Sequence, residues 1–401
     1  MNQFFAQNKY LLLYGLLLAF LSSFGQTFLI ALYLPSIQET FDLSDAEFSF
    51  IYSGATILSA LSITFLGRLI DQVNIIKFTV FVMLGLIVML VVFSQTYFLV
   101  MLFFAIYGLR LFGQGLMTHT SITSMARFFE KGRGKAISIA SLGHPIGEVL
   151  LPLLVVSAIY GIGWRFTVLS TAVLVVLAIP LAIFLLRKNT HFSQLRKYAP
   201  QSFSKDETKA ASPLEIMKSK PFWIIMPSSM VAACIGTGFL LFKLKLGLSF
   251  GWSPTFVAVG FAAYAVGNAS SNLLGGFLAD RYSGKNLFVL YLMPAVLGFS
   301  MLLISTNEWA YLTLIAGIGI TNGFGGIVKN VALTELYGTK IIGSVRSLFI
   351  TVMIFSTALG PLLFGILLDL GFTFIEIDIF AIVIYILMTI NALRIFKLKI
   401  Q

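Results

Sequence analysis

Long apolar stretches separated by short polar segments recur along the whole chain. A helix of about 20 residues crosses the hydrocarbon of a bilayer. Apolar stretches of that length predict helices near 10–34, 46–70, 75–95, 97–127, 134–159, 164–187, 221–247, 254–279, 285–305, 309–336, 342–368 and 373–396. We therefore expect an all-α membrane protein with twelve transmembrane helices.

Composition supports a protein whose surroundings are lipid. Hydrophobic residues make up 58% of the chain and charged residues 11%, and the mean hydropathy is +0.95. Soluble domains have about 45–50% apolar and about 25% charged residues. The only cysteine, Cys234, excludes a disulfide framework and a cysteine-rich metal site. We expect no metal site and no cofactor.

Sequence features repeat with a fixed offset of 209 residues. This offset relates Gly67 to Gly276 and Asp71 to Asp280. It also relates Leu69 to Leu278, Gly108 to Gly317, Gly134 to Gly343, Ser138 to Ser347 and Pro152 to Pro361. An offset near half of the 401 residues indicates two copies of one unit. Two parallel halves in a membrane protein are typical of a transporter.

The longest polar stretch divides these copies. We predict a six-helix half at 1–187, a cytoplasmic linker at 188–220 and a second six-helix half at 221–401, all-α and parallel to the first. At the end of the linker, Ser212 precedes Pro213 and Glu215 in the pattern of a capping box, which predicts a short helix.

The distribution of charge sets the orientation. If both termini are cytoplasmic, 22 of the 27 Lys and Arg residues lie inside, while Arg165, Lys243 and Lys245 lie outside and Arg110 and Lys329 lie within helices. Basic residues concentrate in cytoplasmic loops. This predicts a multi-pass protein of the plasma (inner) membrane, anchored in the lipid bilayer. The net charge of +11 therefore does not indicate nucleic-acid binding, and we expect none.

Several motifs resemble those of the major facilitator superfamily over essentially the whole chain. The segment 276–281, Gly-Phe-Leu-Ala-Asp-Arg, is followed by Gly284 and Lys285, whereas the first copy has Gln72 and Asn74 at the expected Arg and Gly. Segments 110–115 and 34–37 are also similar to family motifs, and 335–340 is similar to monocarboxylate-type members. The resemblance implies secondary active transport of a small solute by alternating access, and not an enzyme.

The paired loops are candidates for gating. Their glycines allow helices to approach closely, and their acids at the inner helix ends can meet a helix N-terminus or an arginine. With Gln72 after Asp71, the first copy should make the weaker contact. A topology anchor without a role in the cycle is the alternative. The gating candidates are Gly67, Arg68, Asp71, Gly276, Asp280 and Arg281.

Polar side chains within apolar helices are expensive and must face the interior of the bundle. Helical spacing aligns several of them on polar stripes. The substrate-binding candidates are Gln26, Tyr33, Arg110, Gln114, Tyr264, Asn268, Asn322 and Lys329. Glu148 and His144 are proton-coupling candidates, because burial brings a carboxyl toward neutral titration and imidazole titrates there already.

Structural interpretations stay open for each of these residues. Arg110 could pair with Glu148 or with backbone carbonyls. His144 could bond the carbonyls that Pro145 frees. Lys329 could extend to the inner surface, and the polar stripes could simply hold helices together.

The intramembrane charges favour a small organic anion as substrate, since Arg110 and Lys329 outnumber Glu148. We expect a proton-coupled monomer with a small-molecule substrate. One alternative is a proton-coupled exporter of a neutral or lipophilic solute. Another is a membrane-embedded enzyme with His144 and Glu148 as a base and its orienting partner.

We predict that impermeant thiol reagents distinguish the two sides of the membrane. In a Cys234→Ala background, a single cysteine in place of Asp42 should react from outside the cell, whereas one in place of Ser202 should not. The reason is the excess of basic residues in the predicted inner loops. Labelling of intact cells measures this, and labelling at position 202 alone would reverse the topology.

Overall fold

The computed structural model describes residues 2–129, 132–188, 212–338 and 341–398, with side chains from residue 8 onward. Within these residues the structure is helical and contains no strand. The predicted linker 188–220 lies mostly outside them, so its boundaries stay a prediction. The chain divides into two compact units, one of Met1–Leu43 and Ile51–Phe203 and the other of Ser44–Phe50 and Ser204–Gln401.

The helices of the first part of the chain follow the predicted stretches, with several breaks. They are α1 (Asn2–Leu21), α2 (Thr27–Ile30), α3 (Leu34–Phe41), α4 (Asp45–Leu66), α5 (Leu69–Gln72), α6 (Ile75–Ser94), α7 (Leu99–Gly108), α8 (Thr118–Phe128), α9 (Arg133–Ser141), α10 (Gly143–Ile162) and α11 (Trp164–Arg187). Short 3₁₀ turns occupy Ser22–Gly25 and Ala31–Tyr33, and a π-helix occupies Leu109–Met117.

The second part contains the longest helices of the chain that the structure describes. Its helices are α12 (Pro213–Lys218), α13 (Lys220–Ser249), α14 (Pro254–Tyr282), α15 (Gly284–Leu287), α16 (Met293–Ile304), α17 (Glu308–Tyr337), α18 (Ile342–Asp369) and α19 (Phe374–Leu393), followed by a 3₁₀ turn at Arg394–Lys397. The capping box predicted before α12 is confirmed, with Ser212 and Glu215 as its members.

Ten helical stretches among the described residues are long and apolar enough to cross a membrane. They account for ten of the twelve predicted spans. The predicted span 254–279 corresponds to α14, and the predicted span 285–305 is divided between α15 and α16. The division precedes Pro294 near the start of α16, where the missing backbone N–H of proline is tolerated.

The first predicted span is not one continuous helix. The chain leaves the 3₁₀ turn in an extended conformation at Gln26, with φ −81° and ψ 150°. At this break Gly25 crosses Gly113 so closely that a Cβ on Gly25 would lie 2.1 Å from the carbonyl oxygen of Leu109. The absence of side chains at both glycines lets the two backbones meet. The crossing places the irregular part of the first span against the π-helix that carries Arg110.

A second close crossing joins α14 and α17. A Cβ on Gly319 would lie 2.3 Å from the carbonyl oxygen of Tyr264, and one on Gly323 would lie 2.1 Å from that of Asn268. Small residues allow such an approach, and polar side chains can then bond across the seam. The crossing brings Asn322 of α17 to the hydroxyl of Tyr264.

The second unit includes the first turns of α4. The carboxylate of Asp369 accepts hydrogen bonds from the backbone N–H groups of Asp45 and Ala46, both at 3.0 Å. The ammonium of Lys245 forms an ion pair with Asp45. An acid at the positive end of a helix satisfies N–H groups that have no partner within the helix, so these contacts fix where α4 begins.

Candidate functional site

Arg110 is held by neutral groups. It is 5% exposed, and its Nη1 donates to Thr27 Oγ1 at 3.1 Å. The guanidinium lies 5.3 Å from the ring centroid of Tyr52, whose hydroxyl donates to the same Thr27 oxygen at 2.8 Å. Arg110 Nε is buried and bonds no described residue. The cation thus keeps an N–H group with which to bind another acceptor.

The sequence allowed an ion pair between Arg110 and Glu148, and the structure does not form it. Among the described residues the ion pairs are those of Arg127 with Asp71 and of Lys245 with Asp45. Glu148 is half-buried on α10. No Lys or Arg among the described residues therefore lies within ion-pair distance of the Glu148 carboxylate.

His144 contacts a serine and not the carbonyls before Pro145. Its Nδ1 lies 3.3 Å from Ser22 Oγ. The Ser22 oxygen also lies 2.7 Å from the carbonyl of Ala19, and when the hydroxyl donates to that carbonyl, Nδ1 can join it only as a donor. His144 is thereby tied to the 3₁₀ turn at the break in the first span.

The other candidates of the first half lie along its interior helices. Gln26 occupies the extended break itself. Tyr33 packs edge-on against Phe93, with ring centroids 5.7 Å apart. The backbone nitrogen of Gln114 lies at the glycine crossing, 2.5 Å from where a Cβ on Gly25 would be. All three residues thus belong to the irregular segments of this half.

A cavity of about 220 Å³ lies within the second unit. It brings together three of the predicted residues, Tyr264, Asn322 and Lys329. The amide nitrogen of Asn322 donates to the hydroxyl of Tyr264 at 2.7 Å, and the ring of Tyr264 stacks on Phe261 with centroids 4.9 Å apart. Other polar residues that line the cavity are Ser229, Thr237, Tyr291, Thr321, Thr357 and Tyr385.

Lys329 is the cation of this cavity. It is half-buried on α17, and it forms no ion pair with the described residues. No Asp or Glu is among the described residues that line the cavity. The cavity therefore presents one positive charge among hydroxyl, amide and apolar groups.

Two further residues of the second half lie apart from the cavity. Asn268 is not among its lining residues and lies at the close approach of Gly323, in the packed seam between α14 and α17. Lys243, which the charge distribution assigned to the outside, is fully buried within α13. Its Nζ donates to the carbonyl of Leu240 at 3.3 Å and lies 5.0 Å from the ring centroid of Phe261. The uninterrupted α13 continues past it to Ser249.

The two gating loops differ. Asp71 forms an ion pair with Arg127, whose Nη1 also donates to the carbonyl of Ile70 at 3.1 Å. His119 Nε2–H donates to the carbonyl of Gly67 at 3.2 Å. In the second copy, Asp280 is exposed and has no ion pair with the described residues. The expectation that the first copy makes the weaker contact therefore does not hold in this structure.

The remaining gating candidates make few contacts. Arg68 and Arg281 are exposed, and the guanidinium of Arg281 lies 5.2 Å from the ring centroid of Tyr282. The expected close approach at Gly276 is wrong, because a Cβ there would meet nothing within 4 Å. The neighbouring Gly275 faces α17 instead, where its Cβ would lie 3.1 Å from Phe324.

Glu335 organises the second loop, and the sequence reasoning did not assign it this role. Its carboxylate accepts hydrogen bonds from the hydroxyl of Ser283 at 2.7 Å and from the backbone N–H groups of Gly284 and Lys285 at 3.0 and 2.9 Å. Ser283 adopts a positive φ of 71°. The signal was present, because the offset of 209 places Glu335 one residue from the equivalent of Arg127.

Comparisons with known proteins agree with this architecture. The family model described as Major Facilitator Superfamily matches residues 15–248 and 236–399. The aspyridones efflux protein apdF of Emericella nidulans is 24% identical over 280 residues, which cover 67% of this chain and 52% of that protein. The chain thus spans about half the length of this curated relative.

Solved structures show the same fold. One of them is a bacterial homolog of the human lysosomal transporter Spinster in an inward-facing and occupied conformation. Its TM-score is 0.74 at 18% identity, and the match covers 98% of this chain and 97% of that chain. The nucleoside transporter NupG has a TM-score of 0.75 at 14% identity, with coverage of 97% and 100%. At such identities the likeness concerns the fold alone.

The family model covers nearly the whole chain, and the helices, their order and the solved relatives agree with it. The ten apolar helices of the described residues and the family match describe a multi-pass integral membrane protein, and a match to this family gives no support to an enzyme built on His144 and Glu148. The chain belongs to the major facilitator superfamily.

Proposed function

We propose that this protein is a secondary active transporter that moves a small organic anion by alternating access and couples its movement to protons. The observation that supports an anion is the cavity of the second unit. Its one lining cation, Lys329, has no acidic partner among the described lining residues. An ammonium in such a place is costly unless an opposite charge joins it, and a carboxylate substrate supplies that charge.

The neutral groups of the cavity fit the remainder of such a substrate. Tyr264 and Asn322 already bond each other, which orients the tyrosine oxygen as an acceptor. The hydroxyls of Thr237, Thr357 and Ser229 donate their protons to backbone carbonyls, and their oxygens can accept hydrogen bonds from polar substituents of the substrate. A cavity of about 220 Å³ suits a small carboxylate with one or two polar substituents, with Lys329 fixing the carboxylate end.

Arg110 extends the proposal to the first unit. Its partners are a hydroxyl and an aromatic ring, so its charge is not neutralised by an acid there. Its buried Nε bonds no described residue. A guanidinium can bind a carboxylate through two parallel N–H groups. We propose that Arg110, together with Gln26, Tyr33 and Gln114, contributes an anion-binding surface in that unit.

Glu148 is the proposed coupling group. It is half-buried on α10 and lacks an ion-pair partner among the described residues. Its ionised form is therefore energetically unfavourable, and binding a proton removes that free-energy cost. His144, one turn earlier and bonded to Ser22, links α10 to the break in the first span. Protonation of Glu148 would thus be transmitted through α10 to the segment beside Arg110.

We propose that the loops of Gly67, Arg68 and Asp71 and of Gly276, Asp280 and Arg281 act as gates. Asp71 holds its contact in this structure, and Asp280 is free of ion pairs with the described residues. An acid without a partner in one conformation can acquire one in another, so Asp280 would act at a different step of the cycle from Asp71.

An exporter of a neutral or lipophilic solute is the second candidate. The printed name of the relative apdF describes efflux, and the cavity also has apolar lining residues such as Ile318, Leu240 and Met353. The two candidates differ in whether Lys329 must meet an anion. We further propose a monomer in the plasma (inner) membrane with cytoplasmic termini and no nucleic-acid partner.

Replacement of Lys329 tests the substrate charge. We expect purified protein to be stabilised by some small carboxylates in a thermal-shift screen, because a ligand that binds the folded state raises its stability. Lys329→Gln should weaken that binding about 10–100-fold, since a hydrogen bond to a charged group contributes about 1.5–3 kcal/mol.

Lys77→Gln, which changes an exposed lysine of the first half, is the matched control and should leave carboxylate binding unchanged. The screen includes sugars and neutral amphiphiles. If only amphiphiles stabilise the protein and Lys329→Gln binds them as well as the native chain does, the anion assignment fails and the export of a lipophilic solute is favoured.

Glu148→Gln should separate transport from its coupling to protons. The variant mimics the protonated carboxyl, so we expect substrate binding and exchange to continue while accumulation driven by a pH gradient is lost. Arg110→Lys should impair both, because an ammonium lacks the planar fork of a guanidinium. Uptake into proteoliposomes with and without an imposed pH gradient measures this. Native accumulation by Glu148→Gln would make Glu148 a structural residue.

Asp280→Asn and Asp71→Asn test the gates. We expect Asp280→Asn to slow transport strongly. The stability of this variant should be unchanged, because Asp280 makes no ion pair with the described residues in this conformation. Asp71→Asn should do less and cost at most about 1 kcal/mol, since its ion pair is partly exposed. Transport rate and melting temperature are measured beside the exposed control Glu39→Gln. A native rate for Asp280→Asn at normal abundance would exclude its gating role.

A further inference from the structure

Helix α19 contains a buried acid that the transport proposal does not use. Asp378, the fifth residue of the helix, is 0% exposed. Neither of its carboxylate oxygens hydrogen-bonds to any described residue. Two positions earlier, Glu376 is exposed and completes a capping box with Thr373. The two acids thus lie in opposite environments within one turn of helix.

On the side that faces α16, no charged side chain of the described residues is available to Asp378. That helix packs against α19, and its twelve residues include no ionisable side chain. Its Phe299 lies against Tyr385, with ring centroids 5.6 Å apart. Tyr385 is two turns from Asp378 on the same face of α19, and the face that α19 turns toward α16 is aromatic and apolar.

Two hydrogen bonds between α13 and α19 show which residues of the two helices lie at the same depth. Ser228 Oγ donates to the carbonyl of Met388 at 3.2 Å, and Asn391 Nδ2 donates to that of Ile224 at 3.2 Å. This antiparallel register places Gly238 opposite Asp378. Lys243 lies about 7.5 Å further along α13.

The ionisable side chains of α13 either have other partners or lie further along the helix. The Nζ of Lys243 donates to Leu240 and lies over Phe261, and Lys245 pairs with Asp45. Cys234 lies about one turn from Gly238 in the other direction, and Lys220 is at the opposite end of the helix. None of these four side chains is an ion-pair partner of Asp378.

The remaining neighbours lie near the ends of the helices. On α18, Asp369 accepts the backbone N–H groups of Asp45 and Ala46, and Arg346 is at the other end of that helix. Arg394 and Lys397 follow the far end of α19. The N-terminus of α19 contributes at most about 2 kcal/mol, an effect that falls off within the first turn. Burying an ionised carboxylate costs several kcal/mol, so the helix terminus cannot offset it.

We propose that Asp378 is a proton-binding site, occupied in this conformation and vacated when α19 rearranges and admits water to it. The carboxylic acid then releases its proton to water and becomes a carboxylate, and the reverse conformational change takes the proton up again. Because Tyr385 on the same face lines the cavity, a rearrangement of α19 alters the cavity and the proton site together. The conformational equilibrium of the second unit is thereby linked to pH.

This inference does not depend on the coupling role of Glu148. The two acids lie in different units of the chain, and the pH effect of Asp378 needs no substrate and no gradient. Asp378→Asn replaces the acid by a neutral side chain of nearly the same shape. The matched control is Glu308→Gln, which changes an exposed acid in the first turn of α17.

The first measurement is infrared absorption of the purified full-length protein at neutral pH, where a protonated carboxyl is distinct from a carboxylate. We expect a protonated-carboxyl band that is lost in Asp378→Asn and retained in Glu308→Gln and Glu148→Gln. An unchanged band in Asp378→Asn would show that the side chain is ionised, and this would overturn the proposal. Comparison with Asp378→Leu covers the case in which the Asn variant does not fold.

The second measurement is the melting temperature between about pH 5 and about pH 9 without substrate. The folded state holds a proton that the unfolded state lacks, so stability falls as the pH rises. We expect the fall over this range to be at least about 2–4 °C smaller in Asp378→Asn than in the native protein, and Asp378→Asn should be the more stable of the two at high pH. Parallel curves for the two proteins would overturn the proposal. A loss of pH-driven uptake in Glu148→Gln with these curves unchanged would separate the two acids.

Discussion

The expense of placing charge where water cannot reach is the constraint on which this structure depends. The guanidinium of Arg110 contacts a threonine hydroxyl and a tyrosine ring. The Nζ of Lys243 contacts a backbone carbonyl and a phenylalanine ring. Each of these contacts is made with a neutral group. The glycine crossing at Gly25 makes the contacts of Arg110 possible, because it brings the broken first span, with Thr27, against the π-helix that carries Arg110. π-Helical segments occur frequently at functional sites.

The two gating loops contact their neighbouring helices through opposite arrangements of acid and donor groups. In the first half an acid in the loop, Asp71, meets a cation at the end of α8, Arg127. In the second half the acid is on the helix, and Glu335 receives the hydroxyl and backbone N–H groups of the loop at Ser283, Gly284 and Lys285. The repeat therefore conserves the contact between loop and helix but not the residue type on either side. This explains why Asp280, the formal equivalent of Asp71, is left without an ion pair among the described residues.

The sequence was sufficient for the fold because hydrophobic length, charge asymmetry and the offset of 209 residues depend on the bilayer and on duplication, which leave strong one-dimensional patterns. It also selected Tyr264, Asn322 and Lys329, which line one cavity, since a helical stripe of polar residues has to face inward. It did not predict the break at Gln26, because no proline marks it and the cause is a crossing with a distant glycine. The burial of Lys243 and the position of Asn268 in a packed seam were not predicted for the same kind of reason, because both depend on partners far along the chain.

The proposed chemistry follows from how the intramembrane charges are distributed. A transporter that couples the movement of an anion to a proton needs an acid whose ionisation is unfavourable in one state and tolerated in another. Glu148 is only half-buried, so small movements of α10 can change its surroundings. Asp378 is wholly enclosed, so its titration requires a larger rearrangement of α19. The first acid is suited to follow the substrate through each cycle. The second is suited to set, through pH, which conformation of the second unit predominates before any substrate binds.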